Sequence, residues 1–493
     1  MLVVLLGAAP HVSAQSTEPA QAESSTEAAA GGEGSAESAE SSDAAINSEA
    51  TDGTSVLLWS QVADVVVRSA PTVTIADLQL RQAELRRLEA QLASLPSIGI
   101  RAGIAPAPEV TVELDENGNP IQSSANESDV ELATRLVSVG IQGNLDVTLP
   151  LTTFGKIQLA RQLASVGVDV EQAEREGVIL ESLFEAYRAY TSRQWYTQVS
   201  RLTREAEHRL NEAEEDLEDR IFDGDSSARA TLRRLTIGRT AFVQLKAAAD
   251  TVGRLAEFGL SHLLGYDVLP GLVPFEENVP TDAPPTLEDV LAFARVYRPD
   301  YRLLNSAVRA GQLRSRLEAR QFAPDIALNM NFGGAYAPSI TNLRGPFIFD
   351  PYNRFGFGFA VGLRWAGNPF MRSASIARFN QQEAEAVASR DAAWFGIELE
   401  VSRAYFELLG KRDIVLAFAE AREAAEAWMN QAAFQYDQGL STFDDLREPL
   451  QTFYETEARY YQALLEYHLG VADLAVKCGS RDMQTWPAWS SAE

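Results

Sequence analysis

Phe355-Gly-Phe-Gly-Phe-Ala-Val-Gly-Leu-Arg-Trp365 is the stretch on which the reading of this chain turns. Phe355, Phe357, Phe359, Val361, Leu363 and Trp365 fall on one side of a period-two pattern; Gly356, Gly358, Ala360, Gly362 and Arg364 fall on the other. Such alternation is the mark of a strand with two unlike faces. Three more runs share it: Ser97–Ile104 (Ile98, Ile100, Ile104), Val137–Leu149 (Val137, Val139, Ile141, Leu145, Val147, Leu149) and Asp325–Phe332 (Ile326, Leu328, Met330, Phe332). Their opposite faces carry Arg101, Gln142, Asn144, Asp146, Asn329, Asn331 and Arg364. One apolar and one polar or small face fits a lipid-facing barrel wall around a wet lumen. A soluble sheet packed on helices is the alternative that these strands alone leave open.

Around these runs the chain repeats itself. Pro71 to Pro96 and Pro299 to Pro324 each span 25 residues. Gly155 to Gly224 spans 69 and Gly367 to Gly439 spans 72, while Gly224 to Gly265 spans 41 and Gly439 to Gly479 spans 40. Two structural repeats follow, 56–270 and 299–479, joined by a Pro-rich segment at 271–298 and followed by a tail at 480–493. Each repeat begins with a helix bounded by prolines, Thr72–Leu95 (Ile75, Leu78, Leu85, Leu88, Leu92) and Asp300–Phe322. Each then has two strands and a very long helix. Ile157–Phe222 holds Leu159, Leu163, Val166, Val170, Ala173, Leu180 and Leu183 at coiled-coil spacing. Its 66 residues would run for about 100 Å. A turn at Asp223–Ser227 sends Ala228–Leu264 back. The second repeat matches it with Phe370–Asp437, a turn at 438–441 and Thr442–Lys477. The two shorter helices of a repeat, placed end to end, cover the length of the long one.

This pattern dictates assembly. Four strands cannot close a barrel, and lipid tolerates no open sheet edge, because each unpaired N–H or C=O there costs several kcal/mol. The smallest closed membrane barrels use about eight strands. Several copies must therefore pool their strands if the sheet lies in a membrane.

Composition narrows the rest. The 493 residues include 69 acids and 42 bases, a formal net charge of −27, which repels phosphate backbones and argues against nucleic acid as a partner. One cysteine forbids an internal disulfide, and Cys478 reads as a packed small residue. His208, His262 and His468 lie far apart, and His11 falls in the leader, so neither a zinc nor a haem site is expected. Residues 1–14 read as a signal peptide with Val12-Ser-Ala14 before the cut, although the basic n-region is missing and the true start is allowed upstream. Residues 15–55 hold nine acids, no base and no aromatic, the composition of a disordered linker. No cysteine follows the leader, so no lipoprotein anchor is expected. No apolar run is long enough for a transmembrane helix.

With motif order and duplication in place, residues 56–480 resemble the TolC-type outer-membrane efflux proteins. The resemblance is carried by Leu149-Pro-Leu-Thr-Thr-Phe-Gly155 at the strand-to-helix junction. It is carried also by Tyr436-Asp-Gln-Gly-Leu-Ser-Thr-Phe-Asp-Asp445 at the second helical turn, and by Leu263-Leu-Gly265. It implies a mainly α protein with membrane β structure. Four strands per chain would build a twelve-stranded trimeric β-barrel, and long coiled-coil helices an α-barrel reaching into the periplasm. The implied role is the passive exit duct of a tripartite efflux or type I secretion system. The implied partners are two further copies of the chain, a periplasmic adaptor, an inner-membrane pump and outer-membrane lipid. Loops Pro108–Glu131 and Gly334–Arg354 would be external, with 269–298 and 480–493 forming a belt.

The resemblance also implies a periplasmic gate. By position relative to Gly439 its acids are Asp445 and Glu448, with Asp444 beside them, and Tyr436 matches a latching aromatic. Carboxylates from several copies at a narrow mouth bind cations and repel anions; the plainer reading of Asp444 and Asp445 is favourable placement in the first turn of a helix. The adaptor would meet the turns at Asp223, Gly224, Asp225, Gly439, Leu440 and Ser441. Two positions depart from the family: Ser441 stands where a basic latch is expected, and Ala230 where the first repeat has an acid. Glu212, Glu214, Glu215, Asp216, Glu218 and Asp219 read as a solvated face. Phe347, Phe349 and Tyr352 could equally be a membrane-surface girdle or a loop cluster. No nucleophile motif, phosphate loop or cofactor signature is present, so no enzyme is expected. The competing reading is a structural periplasmic coiled-coil protein without a pore. The cargo is not legible.

Overall fold

The computed structural model describes residues 56–108, 116, 136–267, 269–275, 285–338, 353–365 and 368–484. The expected leader and acidic linker, most of both loops expected to be external with Phe347, Phe349 and Tyr352, and the end of the tail lie outside them. Each repeat has the same order. The first runs α1 (Trp59–Ser69), α2 (Pro71–Leu92), β1 (Ser97–Pro108), β2 (Leu136–Thr152), α3 (Lys156–Phe222) and α4 (Ala228–Leu264). The second runs α5 (Leu287–Tyr297), α6 (Pro299–Arg320), β3 (Asp325–Tyr336), β4 (Arg354–Arg364), α7 (Pro369–Asp437) and α8 (Phe443–Cys478).

Two short helices, α1 and α5, were not foreseen. Each ends where a proline opens the next helix, and the intervening residue is extended (Ala70 ψ 130°, Arg298 ψ 123°). Proline disfavours the helical region for the residue before it, so the chain kinks there instead of running on. The expected linker 271–298 thus contains α5, capped by the Thr286 hydroxyl accepting from the Asp289 amide. The strands also run further than their alternation suggested. β1 reaches Pro108, and β3 includes Gly334, Ala335 and Tyr336, which had been assigned to a loop.

The four strands form one antiparallel sheet, β1-β2-β3-β4. Its register places Arg101 opposite Asn144, Asn331 opposite Asp146 and Arg364 opposite Asp325, so all the polar residues share one face. Ile100 pairs with Leu145, and Phe357 with Phe332, on the other.

Below the sheet, the shorter helices run antiparallel along the long ones, end to end as expected. Arg161 of α3 donates to the Ala90 and Gln91 carbonyls at the end of α2, and Arg175 pairs with Asp77. Further down, Tyr196, Glu207 and Glu214 of α3 meet Asp250, Lys246 and Arg239 of α4 respectively. The second repeat shows the same ladder, from Arg372–Glu318 at the top to Arg422–Glu457 lower down. The main core lies midway, where Val62, Val66, Ile179, Leu183, Tyr190, Val401, Leu408, Leu474 and Cys478 are buried together. The chain straps this waist. Leu57 N donates to Gly271 O (2.8 Å), Gln194 to Val273 O (2.8 Å), and Met483 of the tail is fully buried. Among the described residues, no helix is long and apolar enough to cross a membrane.

Candidate functional site at the helical tip and the sheet

The two hairpin tips are built alike. Gly224 (φ +96°) and Gly439 (φ +70°) adopt the left-handed backbone where α3 and α7 end. Beyond each, an amide reaches back five residues: Asp225 N to Arg220 O at 3.0 Å, and Leu440 N to Gln435 O at 2.9 Å. The glycine amides close the inner pair, to Ile221 O (3.2 Å) and Tyr436 O (2.9 Å). This double closure satisfies carbonyls that the last turn leaves free, and glycine reaches it without steric cost. Gly265 and Gly479 end α4 and α8 in the same left-handed backbone, with Tyr266 N and Ser480 N reaching back five residues to Ser261 O and Ala475 O.

At the first tip the Asp225 carboxylate is held from three sides. It accepts from the Ser227 hydroxyl (2.5 Å), the Arg220 guanidinium (2.7 Å) and the Ser227 amide (2.9 Å). These bonds, led by the Ser227 hydroxyl, pull its pKa down to about 2. At the second tip Thr442 precedes α8, and Asp445 turns back to accept from the Thr442 amide (2.9 Å) and hydroxyl (2.7 Å). This is a capping box with Asp at its third position. The same bonds, the backbone one foremost, hold the Asp445 carboxyl below its ordinary value.

Two links tie the repeats together at this end. The Thr231 hydroxyl of α4 donates to Asp444 of α8 at 3.1 Å, with the Arg234 guanidinium 3.7 Å from the same oxygen. The Tyr436 hydroxyl of α7 reaches Asp216 of α3 at 3.4 Å, and its ring packs on the apolar knot of Leu217, Ala228 and Leu235. Burial first, and Asp216 second, push the Tyr436 phenol upward. Tyr436, Asp444 and Asp445 are therefore brought to one end of the molecule, while Glu448 lies one turn further along α8, exposed. The acidic run of α3 is less idle than expected, since Glu214 and Asp216 both bond across to neighbouring helices.

Three participants had escaped notice. Thr231 and Arg234 meet a partner more than 200 residues away, and no local spacing announces that. Phe222 is 92% exposed just before the Asp-Gly turn, and Leu440 is 77% exposed just after its own glycine. An apolar residue flanking a polar turn is the signal that could have marked Phe222.

At the other end the sheet's polar face is a bonded network. Arg101 pairs with Asp146 at 2.6 Å, Asn331 donates to Asp146 at 2.6 Å, and the Thr148 hydroxyl donates to Asn329 at 3.1 Å. Lys156, the first residue of α3, reaches both the Ala323 carbonyl (2.7 Å) and Asp325 (2.8 Å), which ties the strand-to-helix junctions together. A Cβ on Gly333 would lie 2.3 Å from the Asn144 amide oxygen, so this glycine leaves that side chain its place. The apolar face is bare: Ile100, Ile104, Phe355 and Phe359 are each more than 70% exposed. Gln142 and Arg364 lie on the polar face with the others.

No protein-family model matches the sequence, and no curated protein is similar to it in sequence. Solved structures do match. The outer-membrane channel CmeC of Campylobacter jejuni shares 13% identity over 85% of each chain, with a TM-score of 0.66. The outer-membrane channel OprN shares 18% identity over 87% of this chain and 91% of its own, with a TM-score of 0.64. The open state of the Neisseria gonorrhoeae MtrE outer-membrane channel shares 16% identity over 87% and 91%, also at 0.64. This chain, with its doubled helix–strand–strand–helix plan, has the fold of the TolC-type outer-membrane channels.

Proposed function

We propose that this protein is the exit duct of an export machine. In this reading three copies close a twelve-stranded barrel in the outer membrane, and their long helices continue the lumen into the periplasm. The observation that carries the reading is the sheet itself. One face is bare and apolar, the other is hydrogen-bonded and charged, and among the described residues both edges, β1 and β4, are unpaired. Water would reject the first face and lipid would reject the edges; a closed ring of strands around a wet lumen satisfies both. Arg101, Gln142, Asn144, Asn329, Asn331 and Arg364 then line that lumen.

The tip is the gate. Tyr436 and Asp444 hold the two hairpins of a chain in the closed arrangement, and Asp445 with Glu448 offers carboxylates to the mouth. The turns at Asp223–Asp225 and Gly439–Ser441 face a periplasmic adaptor, which works with an inner-membrane pump. The energy comes from the pump, and the duct performs no covalent chemistry. The experiment is single-channel recording after adding detergent-purified oligomer to a planar bilayer. Small, long-lived steps blocked by multivalent cations from one side only are expected. Silence from protein shown to be inserted, combined with a monomeric mass in detergent, would overturn the reading.

A further inference from the structure

Where the sheet meets the helices, a cleft of about 620 Å³ lies between the start of α3, the end of α6 and the Asp325–Arg364 pair that closes the sheet. Lys156, Gln321, Asp325 and Arg364 supply its polar lining, and Ile157 and Leu317 give it an apolar wall. Asp325 and Arg364 stand on the polar face of the sheet, so in the proposed duct the cleft opens to the lumen at the neck between barrel and helices.

The charges in this neck do not balance. Lys156, only 18% exposed, is committed to the Ala323 carbonyl and the Asp325 carboxylate, and so cancels the acid of the lining. Arg364 is exposed and has no ion pair or hydrogen bond among the described residues. Arg314 adds to it from below. It stands three and seven residues before Leu317 and Gln321, hence on the same face of α6, and is likewise exposed and unpartnered among the described residues. Glu318 does not offset it, because that carboxylate is buried and held by Arg372 and Ser375 of α7. Arginine on this face is not always left so: Arg101, higher on the sheet, is matched by Asp146 at 2.6 Å.

We infer that the neck cleft binds organic anions, molecules with a carboxylate, phosphate or sulfonate head and a small apolar body, on their way through the duct. The inference rests on the duct proposed above and names a class of cargo for it. A guanidinium presents a planar fork of N–H donors that fits such heads in a bidentate way, and two free ones beside an apolar wall match a charged head joined to an apolar body. A cleft lined by one sign of charge also concentrates the opposite ion, and each copy in the ring adds its own pair of arginines around the same neck. The carboxylates proposed for the periplasmic mouth oppose this traffic only while the mouth is narrow. Once it is wider than a Debye length, about 8 Å at physiological salt, their field is screened.

The test is isothermal titration calorimetry of the full-length protein in an uncharged detergent, with naphthalene-1-sulfonate as the probe. Saturable binding is expected, with none for the uncharged naphthalene-1-sulfonamide. Arg314→Gln with Arg364→Gln should weaken it at least tenfold at unchanged helicity, and Arg314→Lys with Arg364→Lys should restore it to within about threefold. Equal binding by the glutamine variant, or equally tight binding of the sulfonamide, would overturn the site. So would the absence of saturable binding in protein whose mass in detergent is three chains, and the duct would then stand without this station. A monomeric mass would remove the duct and the cargo role with it.

Discussion

Asp444→Ala should unlatch the tip. In the structure this carboxylate accepts the Thr231 hydroxyl at 3.1 Å and lies 3.7 Å from the Arg234 guanidinium. Its side chain is 45% exposed and that of Arg234 61%, so water screens the ion pair to below about 1 kcal/mol. A hydrogen bond to a charged acceptor contributes about 1.5–3 kcal/mol when dry and about 1 at this exposure. The link is therefore worth about 1–2 kcal/mol per chain. If three chains open together, the closed state loses about 3–6 kcal/mol, which raises the open-to-closed ratio by about 10²–10⁴. Single-channel recording reads this ratio directly. Asp444 also sits in the first turn of α8, where its charge favours the helix dipole by about 0.3–1 kcal/mol. Thr231→Val separates the two roles, since it removes the bond and leaves the dipole alone. It should open the channel in the same direction, and add almost nothing in an Asp444→Ala background. Full additivity of the two substitutions, or an unchanged open ratio for Thr231→Val, would refute the latch.

Asp445→Asn with Glu448→Gln should weaken block by multivalent cations added from the periplasmic side; unchanged block would remove these acids from the mouth. Gly439→Ala and Gly479→Ala share a left-handed φ but differ in surroundings. The first meets nothing within 4 Å and should cost only about 1–2 kcal/mol of backbone strain. At the second a Cβ would sit 2.6 Å from the Tyr297 carbonyl oxygen, so detachment of the α8 end, read by limited proteolysis, should be the larger effect. The first tip should also resist acid. The folded pKa of Asp225, about 2, is below its unfolded value, so its contribution is complete above about pH 4 and is lost as pH falls through about 2. Hydrogen exchange of the 223–227 amides should accordingly be flat from pH 7 to pH 4 after correction for intrinsic rates.

How far these features could be read in advance depended on how local they are. The ends of the long helices were legible because each is written by a glycine whose role is purely backbone: Gly224, Gly265, Gly439 and Gly479 all have positive φ. The sheet faces were legible because register follows from alternation alone, and Arg101, Asn144 and Asn331 duly share one side. The helices α1 and α5 escaped because eleven residues give too few turns for a periodic signal, and because a following proline reads as a boundary and not as a kink. The capping box at Thr442-Phe-Asp-Asp445 was present in the sequence and gives Asp445 an employment besides the one proposed for it at the mouth. What no spacing could reveal was the Thr231–Asp444 link, which is made only when the two hairpins lie side by side.

In the duct proposed above, the open-edged sheet also has a consequence for how the protein reaches its place. A lone chain has no comfortable state at the bilayer, since its strand edges remain unpaired whichever way the sheet turns. Insertion and assembly must then be one event, and its rate must climb steeply with the supply of chains. At low expression the apolar face would wait in water, guarded by whatever holds unfolded outer-membrane proteins, and the yield of finished rings would fall faster than the amount of protein made.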